Sequence, residues 1–256
     1  MESYGRYCVK RRLDEINSGT YTGARKDLLA KFFDIYAEKG EKVDFKLADI
    51  EQEAYIALFA GSDTTAIAFR AIIYYLLKNP LCYHEVIREI DEAYKNGLFT
   101  PNIRYTDATT HLPYFSACCK ESMRLWPSVS MLLPRHVPPG GCEIAGKFIP
   151  EGYRVGMNAG VLHYNKDIFG ADADQFNPNR WFTENAKNMD RYMFQFGMGP
   201  RTCIGKNISF SQIWKLLPQL FRTFEFELAT PDLEWQTTNY FLNKQKNLEV
   251  IARLRF

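Results

Sequence analysis

A chain of 256 residues with 46% hydrophobic content can bury one large core or two small ones, which excludes a disordered or collagen-like polypeptide. With 32 basic against 30 acidic residues the formal net charge is +2, and that balance gives no electrostatic case for nucleic acid as a partner. The six cysteines, Cys8, Cys82, Cys118, Cys119, Cys142 and Cys203, include no C-x-x-C pair and stand beside no metal-type histidine spacing. All but Cys203 read as free thiols in a reducing compartment, and Met1 to Arg6 lacks the apolar core of a signal peptide, so an intracellular protein is expected.

Residues 1–41 are polar and helical in period, and read as two amphipathic helices broken at Asn17-Ser18-Gly19. The basic run Lys10-Arg11-Arg12 is expected to be a solvated face. From about 47 to 78 the pattern predicts one long helix stopped by Asn79-Pro80. Its runs Ala54 to Ala60 and Ala66 to Ile73 are apolar on nearly every side, which predicts complete burial. A membrane span is the competing reading. Asp63 and Arg70 stand against it, because mid-bilayer charges cost several kcal/mol and a protein interior can pair them. Within this helix Ala60-Gly61-Ser62-Asp63-Thr64-Thr65 sets a carboxylate beside a hydroxyl, a pair able to relay protons, with Gly61 leaving room for a ligand. The alternative is that Thr64 only bonds back to a helix carbonyl.

A second amphipathic helix is predicted over 81–94, ended by Asn96-Gly97, and a loop over 100–106. The helix over about 112–125, closed by Pro127, carries Glu121 and Arg124 three apart and so on one face. Taken alone they read as a surface ion pair worth under about 1 kcal/mol. Over about 129–160 the period shortens. Glu143 to Val155, with its Gly and Pro turns, predicts a β-hairpin or two. His84, His111 and His136 carry no metal-like spacing, and His163 reads as structural.

Residues 196–205, Phe196-Gly197-Met198-Gly199-Pro200-Arg201-Thr202-Cys203-Ile204-Gly205, place one thiol on a glycine-punctuated loop just ahead of a helix. Free N–H groups at a helix N-terminus favour a thiolate, and the glycines let backbone approach a flat ligand. Arg201 can hold an anionic group of that ligand. The following helix, about 206–221, is expected to kink at Pro218. Residues 224–228 and 248–254 alternate and predict strands flanking a loop.

The loop matches F-x-x-G-x-R-x-C-x-G at every position and resembles the haem-binding loop of cytochrome P-450 enzymes, the haem-thiolate monooxygenases. Ala60 to Thr65 is similar to the family's oxygen-activation motif, Glu121-x-x-Arg124 to its E-x-x-R signature, and Phe176 to Trp181 to its F-x-P-x-R-W segment. The resemblance implies a mainly α fold with small β-sheets, in which 1–256 is a truncated P-450 domain matching the C-terminal half of a family member. It implies haem b, with Cys203 as the iron's axial ligand and Arg201, Arg135, Phe196 and Gly199 around the cofactor. Asp63 and Thr64 would handle protons, and Val129, Leu132, Leu133 and Phe241 would contact substrate. Glu121, Arg124 and Arg180 would form a buried charge network bracing the loop.

The implied activity is insertion of one oxygen atom from dioxygen into a small apolar organic substrate, by hydroxylation or oxidative demethylation. Electrons would come from an NADPH-cytochrome reductase-type partner, since the chain has no flavin- or nicotinamide-binding glycine fingerprint. Glu51 to Thr65 looks similar to fungal members of the pisatin-demethylase-like group, which suggests secondary metabolism. The residues that normally precede the central helix, including the endoplasmic-reticulum anchor, have no counterpart here, so the isolated chain is expected to be poorly stable or to aggregate. The competing reading is a truncated, non-catalytic remnant or interaction protein that cannot complete a haem pocket.

Overall fold

A computed structural model describes residues 1–256 and divides into two units, residues 1–63 and 64–256. The first holds α1 (Glu2–Asn17), α2 (Leu28–Lys39) and the start of α3 (Leu47–Lys78). Val9, Phe33 and Ile50, one from each helix, form its core. Gly5 packs against the backbone of Tyr55 so closely that a Cβ there would lie 3.2 Å from an amide nitrogen. Arg12 departs from the expected solvated face: it is 3% exposed, lies over the Tyr21 ring and reaches the Asp27 carboxylate at 2.9 Å. Asp27 in turn accepts the Ala30 N–H and so caps α2. Aromatic and carboxylate partners supplied by the α1–α2 connection pull one member of the basic run inward.

The helix α3 runs unbroken over the predicted span, but complete burial does not hold. Ile56, Leu58 and Phe59 are 44%, 37% and 40% exposed, whereas Ile67, Ala71, Ile72 and Leu76 are buried. In the first unit the core of α1 and α2 gathers around Ile50 and Ala54, which leaves the later apolar residues of that segment uncovered. By length and composition α3 could cross a membrane.

The second unit is built on the buried half of α3 with α4 (Pro80–Lys95), α5 (Tyr105–His111) and α6 (Pro113–Leu125). Part of the expected 100–106 loop is therefore helical; α5 begins at Tyr105, where Asp107 in the first turn pairs with Arg104 at 3.0 Å. The core joins Ala68, Ile72 and Leu76 of α3, Val86 and Ile90 of α4 and Phe115, Cys118 and Cys119 of α6. Burial pushes both thiols well up from their ordinary range, which makes them inert packing groups. The start of α6 is capped from outside itself: the Glu89 carboxylate accepts the N–H groups of Tyr114 and Phe115 at 2.8 and 2.9 Å.

Beyond α6 come β1 (Leu132–His136), β2 (Cys142–Ile144), β3 (Lys147–Ile149) and β4 (Arg154–Asn158). The predicted hairpin is β2–β3, while β1 pairs across it with β4, Leu133 opposite Met157. Three short helices follow, α7 (Ala159–Leu162), α8 (Lys166–Phe169) and α9 (Ala186–Arg191), with a 3₁₀ turn over Pro178–Phe182. A second 3₁₀ turn, Gly199–Arg201, leads into α10 (Lys206–Thr223), whose Ile213, Trp214, Leu217 and Phe221 complete the core.

The tail strands β5 (Phe224–Leu228) and β8 (Val250–Leu254) pair with each other. The segment between them is not the plain loop expected. It holds a further hairpin, β6 (Gln236–Asn239) with β7 (Asn243–Lys246). Its buried positions are Asn243 and Gln245, and a polar strand core of that kind gives no alternating apolar signal.

Candidate active site

The loop carrying Cys203 is shaped by local chemistry. Gly197 and Gly199 hold φ of +67° and +66°, a region closed to most side-chain-bearing residues. Between them the chain turns so that the Cys203 N–H reaches back to the Phe196 carbonyl at 2.9 Å. The Cys203 carbonyl then accepts the Lys206 N–H, and the thiol stands exposed two residues ahead of the Gly205 cap of α10. The Phe196 ring packs edge-on against Phe210, which does the same to Trp214, so the loop is anchored to the buried face of α10. Trp214 donates from Nε1 to the Ser116 hydroxyl on α6.

A short segment ahead of β1 gathers the other candidate residues of this unit. Ser128 donates its hydroxyl to the Thr64 carbonyl at 2.7 Å and accepts the Asn243 N–H on its own carbonyl. Val129 bridges to Leu242, next to the half-exposed Phe241, and the Ser130 carbonyl accepts from the Asn239 amide. A Cβ placed on Gly197 would meet the Leu133 side chain at 3.7 Å. Residues 128–133 therefore touch α3, the β6–β7 hairpin and the thiol loop together. Thr65 adds a direct tie from α3 to α10, its hydroxyl 2.7 Å from that of Ser209. Asp63 immediately precedes Thr64 on α3 and is the last residue of the first unit.

Arg135 and Arg201 are both exposed and have no carboxylate partner. Arg135 bonds only to the adjacent Pro134 carbonyl. Leu132 is 47% exposed, beside the thiol-loop neighbour Leu133. No group of three or more His, Cys, Asp or Glu side chains is arranged to hold a metal ion. A single soft thiol with apolar neighbours and two free cations fits a metal that brings its own flat nitrogen macrocycle and acidic substituents.

The E-x-x-R pair is not on the surface. Glu121 and Arg124 are 0% exposed and Arg180 5%. Glu121 accepts from Arg124 Nε and Nη2 at 2.9 and 2.8 Å, from Arg180 Nε at 2.9 Å, from Trp181 Nε1 at 3.0 Å and from the Asn177 N–H at 3.1 Å. Arg180 also pairs with Asp172, whose carboxyl is held below its ordinary range by the Asn177 amide and then by this guanidinium. The surface-pair alternative fails because residues 163–181 fold over α6, and helix periodicity cannot show that cover.

His163 lies in the same region, fully buried, with no metal-ligand neighbours. Burial is the main cause of its pKa falling to about 4, with the nearby Arg124 charge adding to it. Sequence reasoning missed Ser128, Ser209 and Glu89, all short- or medium-range polar groups whose partners lie far along the chain. Only Ser209 carried a hint, as a small polar residue on an otherwise apolar helix face.

Comparison with known proteins identifies the family. The Cytochrome P450 family model matches residues 2–252. Cytochrome P450 monooxygenase gsfF of Penicillium aethiopicum is 42% identical over 234 residues, which is 91% of this chain and 46% of that protein. Cytochrome P450 monooxygenase ACRTS1 of Alternaria alternata is 39% identical over 91% of this chain and 61% of its own length. A pisatin demethylase of Fusarium vanettenii is 39% identical over 81% of this chain and 39% of its own. The chain thus spans about half the length of the curated relatives it matches.

Proposed function

This chain belongs to the cytochrome P450 family, and on that premise we propose that it forms the haem-thiolate portion of a monooxygenase acting on a small apolar organic molecule. The reaction is hydroxylation or oxidative demethylation with one oxygen atom from dioxygen, in fungal secondary metabolism. The observation that carries this reading is the exposed Cys203 thiol, its amide bonded to Phe196, on a loop anchored into α10. Haem b, the family's cofactor, supplies the iron that activates dioxygen, with thiolate sulfur donating electron density to it.

The residues of this chain take the remaining roles. Cys203 would hold the iron, Phe196 and Gly199 would lie against the cofactor, and Arg201 and Arg135 would receive its acidic groups. Thr64, whose carbonyl is held by Ser128, passes protons together with the adjoining Asp63. Val129, Leu132, Leu133 and Phe241 contact substrate and exclude water. Glu121, Arg124 and Arg180 are scaffold, bracing the segment that leads into the thiol loop. Electrons come from an NADPH-cytochrome reductase-type partner, within the cell. The name pisatin demethylase, borne by two relatives, supports oxidative demethylation as one form of the reaction.

The test is the spectrum of the full chain loaded with haem, reduced and treated with carbon monoxide. A red-shifted Soret band that disappears in Cys203→Ala is expected. Its survival in that variant refutes the ligand assignment, and failure of the wild-type chain to take up haem favours the non-catalytic reading.

A further inference from the structure

The buried imidazole of His163 touches neither the thiol nor any candidate substrate residue, yet both of its nitrogens are committed. Nε2 lies 2.8 Å from the backbone nitrogen of Phe194, and Nδ1 lies 2.9 Å from the Arg124 carbonyl oxygen. A backbone N–H can only donate and a carbonyl can only accept. Nε2 must therefore be the bare nitrogen and Nδ1 must carry the ring's single proton, so partner chemistry alone selects the tautomer.

From Phe194 the bonding continues into the thiol loop. The Phe194 carbonyl accepts the Gly197 N–H at 2.9 Å, and the Phe196 carbonyl accepts the Cys203 N–H at 2.9 Å. On the other side the His163 carbonyl accepts Arg124 Nη1 at 2.6 Å, and Arg124 is paired with Glu121. The Phe169 ring closes the pocket edge-on, and Tyr164 bonds outward to the Leu125 carbonyl.

We infer that His163 is a positioning residue for the thiol loop, its neutral imidazole, oriented by the Arg124 carbonyl, offering bare Nε2 to the amide of Phe194 and so fixing where Cys203 presents its sulfur. The inference rests on the haem-thiolate reading of Cys203. The ring is the one side chain that bonds both the carbonyl of α6's last charged residue and an amide two residues ahead of Phe196. The ion cluster itself reaches the segments 163–181 and bonds to no backbone group of 194–205.

Two near-isosteres separate the bonds. His163→Gln extends an amide oxygen to the position of Nε2 and keeps an acceptor for the Phe194 N–H. His163→Asn keeps a donor near Nδ1 and loses that acceptor. In the haem-loaded full chain, His163→Asn should shift at least half of the ferrous carbon monoxide Soret intensity from the thiolate-type band to the unshifted one, with His163→Gln close to wild type. In the haem-free chain, His163→Asn should speed amide exchange at Phe194 about fivefold, and His163→Gln should not. Equal behaviour of the two variants in both measurements, whether wild-type-like or impaired, overturns the inference. If the wild-type chain shows no thiolate-type band, the reading of Cys203 falls while the exchange comparison still decides the clamp. Should His163→Asn not fold, the imidazole ¹⁵N shifts of the wild-type chain decide: an Nδ1–H tautomer supports the clamp, and an Nε2–H tautomer refutes it.

Discussion

Replacing Glu121 by Gln tests whether the buried cluster is held by charge or by shape. The carboxylate accepts five hydrogen bonds, all from donors, and the amide nitrogen of Gln would turn two further hydrogens toward them. The two guanidinium groups are not equally exposed to the loss. Arg180 keeps the Asp172 carboxylate at 3.1 Å, whereas Arg124 is left with the carbonyls of His163, Ala173 and Gln175 and no carboxylate. One fully buried cation therefore goes uncompensated, a change that costs about 3–5 kcal/mol. Because carbonyl oxygens still solvate Arg124, the lower end, about 3 kcal/mol, is expected. With a urea slope of about 2 kcal/mol/M, the unfolding midpoint followed by tryptophan fluorescence should drop by about 1.5 M. The reference is Asp172→Asn, whose carboxylate is 37% exposed and whose partner retains Glu121, so that about 1 kcal/mol or less is expected. If Glu121→Gln shifts the midpoint no more than Asp172→Asn does, the charge argument is wrong.

Three further outcomes are expected. Gly197→Ala meets no atom closer than 3.6 Å, so its cost is the left-handed backbone alone, about 1–2 kcal/mol by denaturation; a loss above about 4 kcal/mol would mean that the space argument fails. A double-mutant cycle of Thr65→Val and Ser209→Ala should give a coupling of about 1 kcal/mol, and strict additivity would remove the α3–α10 hydroxyl bond from the account. His163 supplies a pH dependence. Its folded pKa, about 4, lies below its ordinary 6.5, so the unfolded chain binds more protons between the two values and stability falls as pH falls through that window. The component is about 3 kcal/mol at most, complete above pH 6.5 and lost by about pH 4. It should be missing from the stability–pH curve of His163→Gln, and an unchanged curve for that variant would show that some other group titrates there.

Much of the local structure was legible in order along the chain. Asn17-Ser18-Gly19 ended α1, Asn79-Pro80 marked the break between α3 and α4, and the alternation of Phe224–Leu228 appeared as read. The 3.6- and 2-residue periods report which face of an element is apolar, and those faces did find cores wherever a partner element is present in this chain. Periodicity says nothing of whether a partner arrives, which is why the burial expected of Ile56, Leu58 and Phe59 failed. The β6–β7 hairpin went unseen for the complementary reason. Its inward positions, Asn243 and Gln245, are polar and are held by bonds, among them Gln245 to the Ile67 carbonyl, that no local pattern announces.

The same division runs through the candidate site. The ten residues from Phe196 to Gly205, by type and spacing alone, determined a thiol on a glycine-bent loop ahead of a helix, because turn geometry and helix start are settled within a few residues. Tertiary structure decided which charges are buried. Arg12 and Arg124 were both read from local spacing as solvent-facing alternatives, and each is instead covered by segments that lie farther along the chain. It also decided the Ser128–Thr64, Thr65–Ser209 and His163–Phe194 bonds, since a hydrogen bond needs two partners within about 3 Å and the sequence specifies only one partner at a time.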